Sequence, residues 1–441
     1  MQILKPLLLT SLLFGAACGD DGATLQPDAP VTPPADAPVT PIDKCGAVQP
    51  TTLDPQLAWF GANKADLTAW LDAAGCKSAG YDASHKPVAT FDWDNTISKN
   101  DFGDAITFYL IANGKVRQPP NQDWKQTSPF MTDAAAAALT AACGTTVAAG
   151  QPLPSDTNTG CADEILSLYN NNATRAGAVG FTGNNGRWIE PTYAWTAQLM
   201  AGYTHAEMQA FMLAAVTPQL TAAEGATQTI GTTTGLNAWL RIYPQTKDLV
   251  AAAKSRGYDV WIVTASPQDA IAAVSDQAGV MADHVLGIRS MTDGAGRLTY
   301  GFEGCGTLAD GQAQMIPYIQ GKRCYINKVI YGDTTATAVR RRADGKRQYF
   351  AAGDSDTDVE FLRDATYKLV LNRNKKELMC NAYYNDGDSW RINPMFIGPK
   401  AAVATPYACA TAACHDETGA AIPCRDLAGN VIPPQNDLVH P

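Results

Sequence analysis

The feature that most constrains this chain is a short, largely apolar segment that ends in two aspartates one residue apart. Residues 88–91 predict a buried strand, and Asp92, Asp94 and Thr96 follow it directly. Because residues i and i+2 of an extended segment share a face, both carboxylates can point at one substrate atom. Such a pair supplies a nucleophile beside a proton donor. The alternative is a strand that simply ends in an Asp/Asn turn, so the motif needs partners elsewhere in the chain.

A second junction between a strand and a turn lies far downstream. Residues 258–263 predict a buried strand, Thr264 and Ala265 follow it, and residues 267–279 have a helical pattern. A hydroxyl and free backbone N–H groups at such a junction can hold a phosphoryl oxygen. The same residues would also serve as an ordinary helix cap, so this motif is informative only in combination with the first.

A third apolar segment, residues 348–353, ends in a cluster of aspartates that includes Asp354 and Asp358. Lys328 precedes this segment, and Lys322 lies shortly before Lys328. A lysine here could neutralise both a nucleophilic carboxylate and a phosphate, although a lone lysine is usually a solvated surface residue. Carboxylate oxygens without nearby His or Cys are ligands that suit Mg²⁺.

Taken together, these motifs resemble those of the haloacid dehalogenase superfamily of phosphohydrolases. Residues 92–96 match the D-x-D-x-T pattern of its first motif, and Thr264 ends the strand of the second. Lys328 fits the third motif, and Asp354 with Asp358 fits the fourth. The resemblance spans roughly residues 88–372, and its specificity comes from all four motifs occurring in order.

The resemblance implies a role for each matched residue. In catalysis, Asp92 would be the nucleophile, Asp94 the general acid and base, and Lys328 the charge neutraliser. Thr264 would bind phosphate through its hydroxyl, and Thr96 and Ala265 would contact substrate. Mg²⁺ would be held by Asp92, Asp354 and the Asp94 carbonyl, with Asp358 as outer-shell support. The implied reaction is hydrolysis of a small phosphomonoester through an aspartyl-phosphate. A phosphotransferase would share this intermediate, and a surface-tethered binding protein on the same fold is the non-catalytic alternative.

Strands that alternate with helices predict an α/β fold with a doubly wound, largely parallel, Rossmann-like sheet. We assign residues 45–97 and 246–375 to its catalytic core. About 165 residues separate the first and second motifs, far more than a crossover needs. The resemblance implies that residues 98–245 form a large, mainly helical cap, and residues 376–441 are predicted to be a Cys-containing extension. Helices are predicted at 54–74, 132–142, 205–216, 244–256 and 356–363.

Two acidic residues after the first motif bear on the substrate. Asp101 and Asp104 would share one face of a helix near the catalytic cleft. Asp101 stands where phosphoserine phosphatases, which this region resembles, carry a Glu that contacts the substrate ammonium. Secreted phosphorylcholine phosphatases share the same motif pattern, so the resemblance implies a cationic leaving group such as choline or serine. The alternative is that both carboxylates only stabilise the helix, by interacting with the positive end of its dipole at the N-terminus.

The N-terminal region predicts export across the inner membrane of a bacterium. Lys5 precedes an apolar stretch that is too short to span a membrane, as in a secretion signal. Small residues before Cys18 resemble a lipoprotein processing site, which would make 1–18 a signal peptide and a lipid on Cys18 the sole membrane contact. Ordinary cleavage would instead give a periplasmic or secreted protein. Residues 19–44 predict a disordered Pro/Asp/Thr-rich tether.

Cysteine usage agrees with an oxidising compartment. The chain has 11 cysteines, and those other than Cys18 can pair completely. Local pairs would join Cys45 with Cys76, Cys143 with Cys161 and Cys305 with Cys324, although sequence does not fix connectivity. The competing interpretation is a zinc site formed by Cys409, Cys414, His415 and Cys424. A net charge of −10 argues against a nucleic-acid partner, and the oligomeric state stays open.

Overall fold

The computed structural model describes residues 43–343 and 345–440. The predicted signal peptide, its lipid site at Cys18 and nearly all of the predicted tether lie outside the described residues. Within the described ranges, every helix is too short or too polar to cross a membrane.

A parallel sheet of six strands forms the centre of the described chain, in the order β12-β11-β10-β1-β6-β7. The strands are β1 (Val88–Phe91), β2 (Ser98–Lys99), β3 (Thr227–Ile230), β4 (Thr233–Asn237), β5 (Arg241–Ile242), β6 (Asp259–Pro267), β7 (Val285–Ile288), β8 (Ser290–Thr292), β9 (Leu298–Phe302), β10 (Phe350–Gly353), β11 (Tyr367–Asn372), β12 (Trp390–Pro394), β13 (Cys414–His415) and β14 (Ala421–Ile422). Every residue of β1 and β10 is buried, as expected for parallel strands covered on both faces. The predicted α/β class is confirmed.

Helices flank this sheet and build the insertion after β1. They are α1 (Asn63–Ala74), α2 (Phe102–Ala112), α3 (Asp133–Cys143), α4 (Thr159–Asn171), α5 (Pro191–Gln198), α6 (His205–Thr221), α7 (Pro244–Ser255), α8 (Gln268–Ala272), α9 (Gln320–Val329), α10 (Val359–Asp364) and α11 (Lys376–Tyr384). Helix α1 begins later than predicted, because Gly61 takes a positive φ of 53° that ends any earlier helical turn. The helix predicted at 267–279 is interrupted: α8 begins directly after Pro267, which still pairs with Ile288 of β7, and a separate 3-10 turn follows at Ser275–Ala278.

The order of the strands places a crevice beside β1. The chain runs from β1 to β6 and β7 on one side, then returns to β10, β11 and β12 on the other. Ligands of doubly wound sheets bind at such a switch point, outside the carboxyl ends of the strands. The carboxyl ends of β1 and β10, where the aspartate motifs lie, are therefore neighbours.

The long insertion leaves and re-enters the core at adjacent positions. Strand β2 pairs antiparallel with β5 through Ser98 and Ile242, close to the boundaries predicted for the cap. Between them lie helices α2 to α6 and the hairpin of β3 and β4. A second hairpin, β8 with β9, falls within the range assigned to the core, and its Phe302 packs in a buried cluster with Ala194 of α5. The sequence patterns did not indicate this second hairpin.

The C-terminal region contributes to the core as well as extending beyond it. Strand β12, from the segment predicted to be a separate extension, completes one edge of the central sheet, and α11 packs beside it. Five disulfides join Cys45–Cys76, Cys143–Cys161, Cys305–Cys324, Cys380–Cys409 and Cys414–Cys424. The alternative zinc site is wrong, because Cys409, Cys414 and Cys424 are all engaged in disulfides.

Candidate active site

A cavity of about 470 Å³ opens at the carboxyl ends of β1, β6 and β10. It is lined by carboxylates that follow both motif strands, by the carboxyl end of β6, by three tyrosines and by a few cationic side chains. The lining includes Asp92, Asp94, Asp101, Asp104, Tyr169, Tyr193, Thr264, Ala265, Ser266, Tyr318, Lys322, Asp354 and Arg373. The fold thus brings together residues from every motif except the lysine that the sequence analysis favoured.

Asp92 lies at the centre of this cavity. Its backbone N–H donates to the Ala352 carbonyl and so continues the pairing of β1 with β10 beyond the strand. Its side chain accepts a hydrogen bond from Lys322 Nζ at 2.6 Å, and the same ammonium lies 2.6 Å from Asp358 Oδ1. Burial and the nearby Asp358 carboxylate raise the pKa of Asp92 well above its usual range. A buried cation therefore joins the first and fourth motifs.

Lys322, and not Lys328, supplies this cation. Burial opposes the charged form of Lys322, but Asp358 and Asp92 outweigh burial and raise the pKa of its ammonium, so it stays protonated. Lys328 instead donates to the Gly304 carbonyl at 2.8 Å and lies 3.7 Å from Glu303. Both lysines belong to α9, where a separation of six residues places them about 120° apart around the helix axis. The assignment of Lys328 to the site is thus wrong.

Asp354 and Asp358 follow β10 and are buried. Asp358 uses both oxygens within the protein, since Oδ1 faces Lys322 and Oδ2 accepts from the backbone N–H groups of Asp354 and Ser355. Asp354 accepts from the Thr96 hydroxyl at 2.7 Å. Asp354 lines the cavity, whereas Asp358 is not among its lining residues, which suits Asp358 for support.

The carboxylates of this cluster fit a divalent cation. One oxygen each from Asp92, Asp354 and Asp358 lie within 4.8 Å of one another. The donors are all hard carboxylate oxygens, which suit Mg²⁺ better than a metal that prefers His or Cys. Mg²⁺ would thus be held by Asp92 and Asp354, with Asp358 behind them.

Asp94 lines the same cavity and is fixed by two donors. The Phe102 backbone N–H reaches Oδ1 at 2.8 Å, and the Ser266 hydroxyl reaches Oδ2 at 2.7 Å. Burial and the nearby Asp101 carboxylate raise the pKa of Asp94 well above its usual range. Ser266 was not among the predicted site residues. Its position in the polar end of β6 was visible in the sequence, but its contact with Asp94 was not.

The threonines of the first two motifs have different surroundings. Thr264 and Ala265 line the cavity, and the Thr264 oxygen accepts from the Ser266 backbone N–H at 3.1 Å. Thr96 is fully buried behind the wall, where its hydroxyl contacts Asp354 and, at 3.4 Å, Asp92. The expectation that Thr96 contacts substrate is therefore wrong: it holds two carboxylates in place.

Acidic and aromatic side chains form another part of the cavity lining, which we call its acidic end. Asp101 caps α2 by accepting from the Asp104 backbone N–H, and Asp104 accepts from the Tyr169 hydroxyl at 2.6 Å. Burial and the mutual proximity of these carboxyls raise the pKa of Asp101 to about 7. Burial likewise raises the pKa of Asp104 to about 6, against the Tyr169 hydrogen bond that lowers it. Tyr193 and Tyr318, in edge-to-face contact at 5.9 Å, complete this wall.

Arg373 is a further site residue that the sequence motifs did not indicate. It follows β11, lines the cavity, and places Nη1 at 2.6 Å from Asp354 Oδ2. Burial opposes its charged form, but Asp354 outweighs burial and raises the pKa of the guanidinium. No short motif surrounds Arg373, so its place in the site depends on the pairing of β11 with β10.

Comparisons with known proteins bear on the family and the fold. Residues 192–363 match the family model of haloacid dehalogenase-like hydrolases, a range that includes Thr264, Lys322 and Asp354. A search of curated proteins found no match. A conserved protein of unknown function from Anaerococcus prevotii shares the fold, with a TM-score of 0.56, 18% identity, and coverage of 78% of this chain and 94% of that one. A substrate-bound phosphoserine phosphatase is a more distant match, with a TM-score of 0.29, 13% identity, and coverage of 66% and 90%.

Proposed function

We propose that this chain, a member of the haloacid dehalogenase-like hydrolases by its matched domain, is a phosphomonoesterase with Asp92 as its nucleophile. The observation that carries the proposal is the buried Asp92–Lys322–Asp358 arrangement at the edge of an open cavity. Burying three carboxylates together is costly unless cations and ligands use them. Asp92 also borders the space where substrate would bind, as a nucleophile must.

The reaction follows from the two aspartates of the first motif, which both line this space. An Asp92 oxygen would bond to phosphorus as the ester P–O bond breaks, and Asp94 would give its proton to the departing alcohol oxygen. Water would then attack the phosphorus of the aspartyl-phosphate and return a proton to Asp94. Phosphate leaves, and Asp92 is restored.

Positive charge is what this transfer requires. The moving phosphoryl group spreads negative charge over its equatorial oxygens. Lys322 offers a fixed ammonium beside Asp92, and the Thr264 hydroxyl and backbone of Ala265 border the same space. Mg²⁺, when bound by Asp92 and Asp354, would neutralise further charge on the phosphoryl oxygens.

We further propose a cationic alcohol, such as choline or serine, as the leaving group. Asp101 and Asp104 form no direct ion pair with a Lys or Arg among the described residues, unlike Asp92 and Asp354. Three tyrosines line the same end of the cavity, and aromatic faces with carboxylates bind ammonium groups. The acidic end thus favours a substrate with its positive charge away from the phosphorus.

The proposed location is outside the cytoplasm. Five disulfides join cysteines throughout the described chain, as is typical of proteins from an extracellular or periplasmic compartment. The signal-like N-terminal sequence and Cys18 support export and a lipid anchor.

The test is phosphate release by the full oxidised chain from phosphocholine, phosphoserine, phosphoethanolamine and sugar phosphates, with Mg²⁺ or EDTA. We expect Mg²⁺-dependent release that Asp92→Asn abolishes while the fold is retained, and faster turnover of the cationic esters. An added alcohol acceptor separates hydrolysis from phosphotransfer. Substantial activity in Asp92→Asn would refute the nucleophile, and inactivity of the folded chain on every ester would favour the binding-protein alternative.

A further inference from the structure

The Arg373 guanidinium occupies the wall of the cavity beside the proposed nucleophile. It contacts Asp354 through Nη1, and among the described residues its other N–H groups make no hydrogen bond. Its side chain is 27% exposed, whereas that of Lys322 is 1% exposed. We propose that Arg373 is a second cationic ligand of the substrate phosphoryl group, an inference that rests on the proposed function.

The backbone around Arg373 is held in place from both sides. The Asn374 backbone N–H donates to Asn372 Oδ1 at 2.9 Å, and Asn374 has a φ of 60° in the left-handed region that asparagine tolerates. The Asn374 side-chain amide donates to the Ala401 carbonyl at 2.9 Å. This short turn directs the arginine into the cavity instead of leaving it as a mobile surface side chain.

The C-terminal segment, residues 395–440, supplies most of this support. Asn372 Nδ2 donates to Asp437 Oδ1 at 3.1 Å and to the Val439 carbonyl at 3.2 Å. Tyr383 of α11 donates to the same Asp437 oxygen at 2.6 Å. The disulfide Cys380–Cys409 ties the segment to α11. A segment with no readable motif thus positions a residue of the candidate active site.

Charge explains why a second cation is needed. Lys322 already serves two carboxylates, Asp92 and Asp358, and is enclosed by them. A phosphomonoester brings further negative charge into the same space. Arg373 has unused donors and a planar fork that matches two phosphoryl oxygens, which a lysine cannot contact in the same way.

The contact with Asp354 means that loss of Arg373 should change Mg²⁺ binding and phosphate binding differently. Arg373 contacts Asp354, which is also an expected ligand of Mg²⁺. The guanidinium and a bound Mg²⁺ would therefore repel each other. Removing the positive charge should therefore weaken binding of a phosphate anion but should not weaken binding of Mg²⁺. A residue with only a structural role would impair both or neither.

The test is calorimetric titration of the full oxidised chain with Mg²⁺ alone and, at saturating Mg²⁺, with inorganic phosphate. We expect Arg373→Gln to raise the phosphate Kd about tenfold or more, since a charged, two-pronged contact is lost. Its Mg²⁺ Kd should be unchanged or lower. Arg373→Lys, which keeps the charge but loses the fork, should give an intermediate phosphate Kd. Arg297→Gln is the matched control, because that arginine is 47% exposed and pairs with Glu207 in the insertion.

The outcomes separate this inference from the proposed function. If the native chain fails to bind phosphate with Mg²⁺ present, the proposed phosphate site itself is refuted. If the native chain binds phosphate and folded Arg373→Gln binds it equally well, the role of Arg373 alone is overturned. The same holds if this variant loses affinity for Mg²⁺ and for phosphate to the same extent. Should Arg373→Gln fail to fold, Arg373→Lys decides: weaker phosphate binding with intact Mg²⁺ binding supports the inference, and unchanged phosphate binding overturns it.

Discussion

Lys322 and Asp92 form a buried ion pair in which the lysine Nζ lies 2.6 Å from the aspartate Oδ1. The two residues are 230 positions apart in the chain, and the same ammonium reaches Asp358. Removing one partner from such an arrangement leaves an uncompensated buried charge. The lysine therefore contributes to folding as well as to the proposed chemistry.

The two lysines of α9 provide a direct test of this arrangement. Lys322→Met should lower the free energy of unfolding by about 3–5 kcal/mol, because Asp92 and Asp358 would be left without their cation. Lys328→Met should change it by less than about 0.5 kcal/mol, as is usual for a partly exposed side chain. Denaturant unfolding measures both, and phosphate release should be lost only in Lys322→Met. Equal effects of the two variants would contradict the site described above.

Mg²⁺ should stabilise the folded chain. A ligand that binds only the folded state raises stability in proportion to the logarithm of its concentration above Kd. We expect the thermal midpoint to rise with Mg²⁺ in the native chain and not in Asp354→Asn, which removes a proposed ligand charge. Asp388→Asn, an exposed carboxylate paired with Arg391, serves as the control and should respond like the native chain. A full Mg²⁺ response in Asp354→Asn would exclude Asp354 as a ligand.

Choline affinity should depend on pH through the acidic end of the cavity. The pKa of Asp101 is raised to about 7 and that of Asp104 to about 6, so both are mainly neutral at pH values below these and anionic above them. The other charged groups that act on them are Asp94 and Arg373, and the Tyr169 hydroxyl donates a hydrogen bond to Asp104. Choline, which does not titrate, should bind more tightly as pH rises from about 5 to about 8.

Calorimetry with choline across this range measures the effect. Asp104→Asn should weaken binding at high pH and flatten the profile, because one of the two carboxylates can no longer become charged. A choline affinity that is independent of pH in the native chain would argue against this subsite.

The disulfide between Cys380 and Cys409 should matter for both stability and phosphate binding. Replacing both cysteines by serine should cost about 2–5 kcal/mol of unfolding free energy, as is typical for loss of a native disulfide. It should also weaken phosphate binding, because the segment that positions Arg373 loses its anchor. The matched control is serine at Cys143 and Cys161, a disulfide within the insertion that should affect stability without a specific effect on phosphate. Equal phosphate affinity in the two variants would contradict a positioning role for the C-terminal segment.

Local sequence was sufficient for the features that depend on neighbouring residues. The apolar strands that end in Asp92 and Asp354, and the alternation of strands and helices, predicted the α/β class and the edge of the sheet where the cavity lies. The helix predicted at 132–142 lies within one residue of α3 at each end, and the helix predicted at 205–216 has the start of α6 but ends five residues before it. Cysteine spacing favoured three of the five disulfides.

Contacts between distant segments were decided by the tertiary structure. The sequence placed two lysines in one helix, and only the packing of α9 against the sheet turned Lys322 towards Asp92 and Lys328 away from it. Ser266 reached Asp94, and Arg373 reached Asp354, because parallel pairing aligns the carboxyl ends of β6, β1, β10 and β11. The sequence by itself determined which local segments form strands and which residues follow them. Which side chains share the cavity was set by strand order and helix rotation, which depend on burial across the whole core and leave no local pattern.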